Sequence, residues 1–417
     1  MGSGARSQLS RSLGLADAIA IGVASMVGAG VFAVWAPAAA AAGGALLLGL
    51  ALAALVAWCN ATSSAQLAAQ YPAAGGTYVY GRERLGEWPG FLAGWSFVIG
   101  KTASVAAMAM TLAAYLAPEA WRLPVAISAV WLMVGVTLLG VTRTAKVAML
   151  LAGLALVALG VALGFGWAES TGPVGHLVAV PTGASGWYGV LQSAGLLFFA
   201  FAGYARVATM GEEVRDPRRT IGRAIIAALV VVLVLYAAVG VSLLLLVGDD
   251  ALATATAPLT LLVGDHPAAR AILAIGAVAA VGGALLGLLS GIGRTWLAMS
   301  REGDLPRVFD HTHPRTLVPH RIELTLAVVL TVILLVADLR GAIGFSSFGV
   351  LLYYFVANVA AFTQGAAERR YAHAWQILGA ALCLILVATL PWQSILGGMV
   401  VLVAGVLWRT FARALLR

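Results

Sequence analysis

Two clusters of small residues interrupt long apolar stretches of this sequence, Gly28-Ala29-Gly30 in the first stretch and Ala202-Gly203 in the sixth. A helix that is interrupted inside a bilayer leaves peptide groups that lipid cannot satisfy, so a break is tolerated only against protein or a cavity. The N-terminus of a half-helix presents unpaired N–H groups, and its C-terminus presents bare carbonyls. Together they suit a ligand that has both a carboxylate and an ammonium group, such as an α-amino acid.

The residues that flank the two breaks form the predicted binding set: Ser25, Met26, Gly28, Ala29, Gly30, Phe201, Ala202 and Gly203. The N–H groups of residues 28–30 are expected to hold a carboxylate. Carbonyls near Ser25, Phe201 and Ala202 are expected to hold an ammonium group. The alternative is that Gly28 and Gly30 only allow helices to pack closely, as small residues do in membranes. Close packing alone does not explain the matched break in the sixth stretch.

Lys101 is a charged residue about a dozen residues from either end of the third apolar stretch. Because a helix rises 1.5 Å per residue, this position places Lys101 near the middle of the bilayer. A charge at the bilayer centre costs about 2.5–3.5 kcal/mol on insertion scales, so such residues usually face a functional cavity. A lysine removed from water is able to release and regain a proton, which makes Lys101 the predicted coupling residue. The alternative is a structural lysine bonded to carbonyls of a broken helix.

Other charged residues lie near the ends of the apolar stretches. Arg206 follows the second break and is predicted to pair with Glu213, Glu212 or Asp17 as an inner gate. The alternative is an arginine that only helps to orient the chain. Because no Asp, Glu or His lies in the middle of a stretch, the sequence offers no carboxylate for a second positive charge on a ligand. Neutral or acidic ligands are therefore favoured over cationic ones.

The elements that position these residues are predicted to be twelve membrane-spanning helices. The sequence is 61% hydrophobic and 10% charged, with a mean hydropathy of +0.96, which is typical of an integral membrane protein. About 20 apolar residues are needed to cross the hydrocarbon core. The predicted spans are 15–40, 44–68, 89–117, 123–141, 145–167, 187–211, 224–247, 270–299, 322–338, 341–363, 374–391 and 393–411.

The net charge of +8 is distributed as expected for a membrane protein and not for a partner of nucleic acid. With the N-terminus inside, 20 of the 25 basic residues fall on the cytoplasmic side, while Arg122, Arg270 and Arg340 lie outside and Lys101 and Arg206 lie within spans. This asymmetry predicts a multi-pass protein of the plasma membrane with both termini in the cytoplasm.

The chain is predicted to be a single all-α membrane domain over residues 1–417. Spans one to five (about 12–167) and six to ten (about 186–363) each begin with the interrupted helix, and spans eleven and twelve (about 373–411) are extra. An odd number of spans in each repeat requires that the two repeats have opposite orientations. The prediction is a five-plus-five inverted repeat with discontinuous helices one and six.

The residues around both breaks resemble those of the amino acid/polyamine/organocation permeases, a superfamily of secondary carriers. The first span carries Gly28-Ala29-Gly30-Val31-Phe32, similar to the Gly-x-Gly-Ile/Val-Phe of that family. The sixth carries Phe199-Ala200-Phe201-Ala202-Gly203, followed by Glu212-Glu213-Val214-Arg215-Asp216-Pro217-Arg218-Arg219. The resemblance covers spans one to ten and implies a carrier of amino acids or related amines that works by alternating access.

The resemblance also implies roles for two side chains. Phe199 stands where an aromatic residue covers the substrate, and Lys101 aligns with a position of span three that faces it. The Lys101 ammonium is also a candidate to replace a bound sodium ion against carbonyls of span one. Some members are thought to use a lysine of span five in this way, but span five of this chain has only Lys146, at its cytoplasmic start.

The leading interpretation is a secondary active transporter that takes up neutral or acidic amino acids with protons. An amino acid exchanger and a carrier of cationic amino acids or polyamines are the alternatives. An enzyme, a channel or an ATP-driven pump would need a convergent catalytic set, a polar filter or a phosphate-binding loop, and the sequence shows none of them. His311 and His313 lack a third ligand for a metal. The predicted partners are an amino acid, protons and the lipid bilayer, with no cofactor and no metal.

Overall fold

The structure is a computed structural model that describes residues 13–28, 30–71, 75–140, 145–170, 172, 179–208, 210, 214–316 and 318–415. The regular elements of these residues are helices. The α-helices are α1 (Leu15–Val27), α2 (Gly30–Ala33), α3 (Trp35–Ala42), α4 (Leu46–Gln70), α5 (Thr77–Leu85), α6 (Glu87–Leu116), α7 (Glu119–Leu138), α8 (Ala145–Glu169), α9 (Gly183–Phe201), α10 (Ala205–Ala208), α11 (Pro217–Leu246), α12 (Asp249–Thr254), α13 (Thr260–Val263), α14 (Pro267–Arg301), α15 (His320–Val336), α16 (Leu339–Phe362), α17 (His373–Thr389) and α18 (Trp392–Leu415).

The helices confirm an all-α membrane protein. Ten helical segments of the described chain are long and apolar enough to cross a membrane. They correspond to the predicted spans except the ninth and the eleventh, where α15 and α17 have 17 residues each. The exact count of twelve crossings therefore stays a prediction.

Both predicted interruptions are present. The first helix ends at Val27, and Gly28 has φ −33° and ψ −129°, outside helical geometry, before α2 begins at Gly30. The second interruption is milder, because Ala202–Tyr204 form one 3₁₀ turn between α9 and α10. A 3₁₀ turn narrows the helix and changes which carbonyls are bonded along it.

Short helices stand at matching places in the two predicted repeats. Helix α5 separates the second and third spans, and α12 and α13 separate the seventh and eighth. This order fits the predicted inverted repeat, whose boundaries stay predictions.

Buried polar side chains connect spans that are far apart in sequence. Asn358 of α16 donates to Asn60 Oδ1 of α4 at 2.6 Å, and its own Oδ1 accepts from Ser63 at 2.7 Å. The hydroxyls of Ser104 and Ser346 lie 2.6 Å apart between α6 and α16. These bonds favour the cross-linking role that buried polar residues have in membranes.

A buried cluster of charges on the predicted cytoplasmic side centres on Asp304, which is fully buried. Its carboxylate accepts from Tyr78 Oη (3.0 Å), Arg82 Nη1 (3.1 Å) and Arg409 Nε (2.8 Å). Burial and the charge of Asp304 raise the pKa of Tyr78, so its hydroxyl stays protonated as a donor. The cluster ties α5, the connection after α14 and α18 together.

Candidate substrate site

The two breaks contact each other inside the protein. A Cβ atom added at Gly203 would overlap the Ser25 carbonyl, and one added at Gly30 would lie 2.6 Å from the Ala200 Cα. A Cβ at Gly28 would lie 2.9 Å from Ala284 Cβ. The glycines therefore serve close packing in this conformation. The same approach brings the backbone groups of both breaks to one place.

The predicted binding residues lie at this junction. Met26, Phe199 and Ala202 are buried, and Phe201 is fully buried with its ring 5.1 Å from that of Tyr236. Ser25 and Gly203 are half-buried. Ala29 lies outside the described residues, and the roles of all these residues in binding stay predictions.

Lys101 reaches the junction from α6. Its Nζ atom donates to the Ala202 carbonyl at 3.3 Å, and the residue is 5% exposed. It forms no ion pair with a carboxylate among the described residues. The ammonium therefore lies on a carbonyl of span six, the one predicted to hold the ammonium of a substrate, and not on the carbonyls of span one.

Sequence reasoning missed Tyr236, which lies between the breaks. Its hydroxyl lies 2.7 Å from the Met26 carbonyl and 3.1 Å from the Ala200 carbonyl, and the residue is buried in α11. The available signal was a single tyrosine in a long aliphatic span, since a buried tyrosine usually finds a partner for its hydroxyl. Tyr236 thus places its single hydroxyl proton between one carbonyl from each broken helix.

The predicted extracellular side of the junction is closed. Tyr115 Oη donates to the Phe32 carbonyl (3.1 Å) and accepts from Leu259 N (3.2 Å), and the rings of Tyr115 and Phe32 meet edge to face at 5.5 Å. Phe32 is fully buried. The closure joins α2, α6 and the segment before α13, and sequence reasoning missed it as well.

The predicted inner gate is described only in part. Arg206 is half-buried within α10, and Glu212 and Glu213 lie outside the described residues. Asp17 accepts a hydrogen bond from Gly14 N at 2.9 Å, at the start of α1. The gate stays a prediction.

Comparison with known proteins gives a consistent result over almost the whole chain. A family model described as amino acid permease matches residues 13–408.

Three relatives illustrate the range of similar proteins. An uncharacterized transporter of Mycobacterium tuberculosis is 49% identical over 401 residues, 96% of this chain and 90% of the relative. The chloroplastic cationic amino acid transporter 7 of Arabidopsis thaliana is 29% identical over 93% of this chain and 71% of its own. The methylthioribose transporter of Bacillus subtilis is 28% identical over 85% of this chain and 79% of its own.

Proposed function

The chain belongs to the amino acid permease family, and from this membership we propose that it takes up neutral or acidic amino acids across the plasma membrane by proton-coupled alternating access. It is a transporter of amino acids or related substrates and not an enzyme. The observation that carries the proposal is the meeting of two broken helices with a buried lysine at the junction.

The substrate would bind where the two breaks meet. Backbone N–H groups at the start of α2 suit its carboxylate, and carbonyls at the ends of α1 and α9 suit its ammonium group. In this conformation the Lys101 ammonium donates a hydrogen bond to the Ala202 carbonyl. We infer that an arriving substrate draws the Lys101 ammonium to its carboxylate, which frees the carbonyl for the substrate's own ammonium group.

Among the described residues no acidic side chain lies at the junction, which favours neutral or acidic substrates. In the described part of the chain the buried acids are Asp304 and Glu323. Asp304 belongs to the cytoplasmic cluster, and Glu323 accepts from Thr137 at 3.3 Å near the start of α15. A cationic side chain would meet no carboxylate between the breaks in the part of the chain that the structure describes.

A carrier of cationic amino acids is the second candidate. Arabidopsis relatives that are named cationic amino acid transporters are 27–30% identical to the chain. The name of the Bacillus relative gives a different substrate, methylthioribose. The family therefore varies in substrate. The side chains that line the junction determine whether the substrate is a neutral or acidic amino acid or a cationic one.

We infer that Lys101 couples transport to protons. A buried ammonium without a carboxylate is costly, and either a bound carboxylate or loss of the proton removes that cost. A protonated lysine therefore favours binding of the substrate carboxylate, and by linkage a bound carboxylate favours the proton. Both would enter together and leave together, which is symport.

Alternating access would need the outer closure to open and the inner side to close. Tyr115 and Phe32 hold α2 against α6 on the predicted extracellular side, while Ser25, Gly203 and Arg206 on the other side are half-buried. The distribution of basic residues supports cytoplasmic termini.

Uptake by proteoliposomes tests the proposal. The wild-type protein is given labelled neutral, acidic and cationic amino acids with a pH gradient, a sodium gradient or none. We expect a neutral or acidic amino acid to accumulate with the pH gradient. Uptake of cationic amino acids alone would establish the second candidate, and uptake driven only by sodium would refute proton coupling.

A further inference from the structure

A cavity lies on the predicted extracellular side, and none of the residues at the junction of the breaks lines it. Its volume is about 470 Å³, within the range of small-molecule sites. Its lining is mainly apolar, with alanine, leucine, proline and methionine side chains from α3, α6, α7 and α15. Two arginines, Arg122 and Arg340, and one acid, Asp338, are its charged residues.

The two arginines have no acidic partner among the described residues. Arg122 donates only to the Ala117 carbonyl (3.4 Å) and Thr256 Oγ1 (3.3 Å), both long bonds. Arg340 donates to Gln192 Oε1 at 2.9 Å, and its Nε atom is buried without a partner. Asp338 instead caps α16 by accepting from Gly341 N at 2.9 Å.

The cavity adjoins the outer closure. Met110 and Ala114 of α6 line it, and Tyr115 follows Ala114 directly in the chain. An adjoining pocket of about 270 Å³ is lined by Tyr115 itself and shares Arg122. A molecule held in the cavity would therefore wait just outside the contact between Tyr115 and Phe32.

We propose that this cavity is a separate docking site for the carboxylate of an incoming substrate, held by Arg122 and Arg340 with its aliphatic side chain against the apolar wall. Guanidinium groups bind carboxylates through paired N–H donors. A carboxylate would satisfy the Arg340 Nε donor and offset the net positive charge that Arg122, Arg340 and Asp338 together leave in the cavity. The proposal rests on the proposed function, because it takes the substrate to be an amino acid.

The docking site differs from the junction in the groups that it recognises. The junction offers partners to both the carboxylate and the ammonium group of an amino acid. The cavity offers two cations and apolar surface, while its one acid is occupied by its cap. A carboxylic acid without an amino group would lose half of its partners at the junction and none in the cavity, and would therefore bind the cavity in preference to the junction.

The test is equilibrium binding of 4-methylpentanoate, which is leucine without its amino group, to the purified full-length protein in nanodiscs. We expect one site per chain and a loss of affinity of roughly tenfold or more in Arg122→Gln and in Arg340→Gln, as for a lost charge-assisted hydrogen bond. Arg301→Gln is the matched control, because Arg301 already pairs with Asp310 at 3.2 Å and lines neither the cavity nor the adjoining pocket. It should bind like the wild type, and so should Lys101→Met.

Three outcomes would overturn the docking site. One is wild-type affinity for the probe in both Arg122→Gln and Arg340→Gln, when the unfolding midpoints of both variants equal that of the wild type. Another is loss of binding in Lys101→Met alone, which would place the carboxylate at the junction. The third is displacement of the probe by inorganic phosphate or phosphatidylglycerol but not by leucine, which would assign the cavity to a lipid headgroup. None of these depends on uptake, so they are distinct from a failure of the proposed function.

Discussion

Replacing Tyr115 with phenylalanine would weaken the outer closure through a single hydroxyl. The ring contact with Phe32 is kept, while the bonds to the Phe32 carbonyl and from Leu259 N are lost. A buried polar group without its partner costs about 1–3 kcal/mol. When the outer side opens, water can bond to the Phe32 carbonyl and to Leu259 N, so the lost hydrogen bonds destabilise only the closed state. The outward-open population should rise by roughly 5- to 150-fold.

The rate at which an introduced cysteine reacts measures this population. Met108 is 9% exposed and stands seven residues from both Lys101 and Tyr115, on the same face of α6. The native Cys59 and Cys383 are fully buried. A membrane-impermeant maleimide added to intact cells should therefore report on Met108→Cys, and only when the outer side opens.

We expect labelling at least about fivefold faster when Tyr115→Phe is added to Met108→Cys, which corresponds to the lower end of the cost. Tyr188→Phe is the control, since it removes a hydroxyl from a side chain that is 47% exposed. It should leave the rate unchanged. Equal rates in the two double variants would refute the assignment of Tyr115 to the closure.

Two further substitutions test the packing of the breaks and the cytoplasmic cluster. Gly203→Ala should abolish uptake, because its Cβ overlaps the Ser25 carbonyl, whereas Gly287→Ala, with open space around it, should transport normally; equal uptake by both would contradict the close contact. Asp304→Asn should destabilise the protein by about 3–5 kcal/mol, since it removes the fully buried carboxylate that Arg82 and Arg409 contact and leaves Arg409 only the longer ion pair with Glu87 at 3.6 Å. Thermal unfolding in detergent checks this, with the exposed Asp310→Asn as the control, and a midpoint shared by both variants would show that the cluster contributes little.

The positions of the breaks were predictable from the sequence because they depend on local chemistry. Small residues inside an apolar stretch mark places where a helix is interrupted. Both interruptions lie at the positions predicted from the sequence. The degree of interruption was not predictable. Ala202–Tyr204 keep a 3₁₀ turn since neighbouring helices, not the local sequence, decide how far the backbone unwinds.

The partners of the site residues depend on tertiary contacts and were harder to predict. The depth of Lys101 follows from its place in span three, but its bond to Ala202 depends on how α6 packs against the second break. Tyr236 and Tyr115 stand 210 and 83 residues from the carbonyls that they contact. No periodicity or motif connects residues so far apart. A tyrosine in an apolar span does indicate a buried hydrogen-bond acceptor nearby, but not which one.

The most direct test of the account compares accumulation with exchange in Lys101→Met proteoliposomes. Wild-type protein should accumulate a neutral or acidic amino acid against its gradient when the outside is acidic, and should also exchange labelled for unlabelled substrate without a gradient. Lys101→Met should retain exchange and lose accumulation, because the variant has no proton to carry with the substrate. Accumulation by Lys101→Met at the wild-type level under the pH gradient would contradict the account.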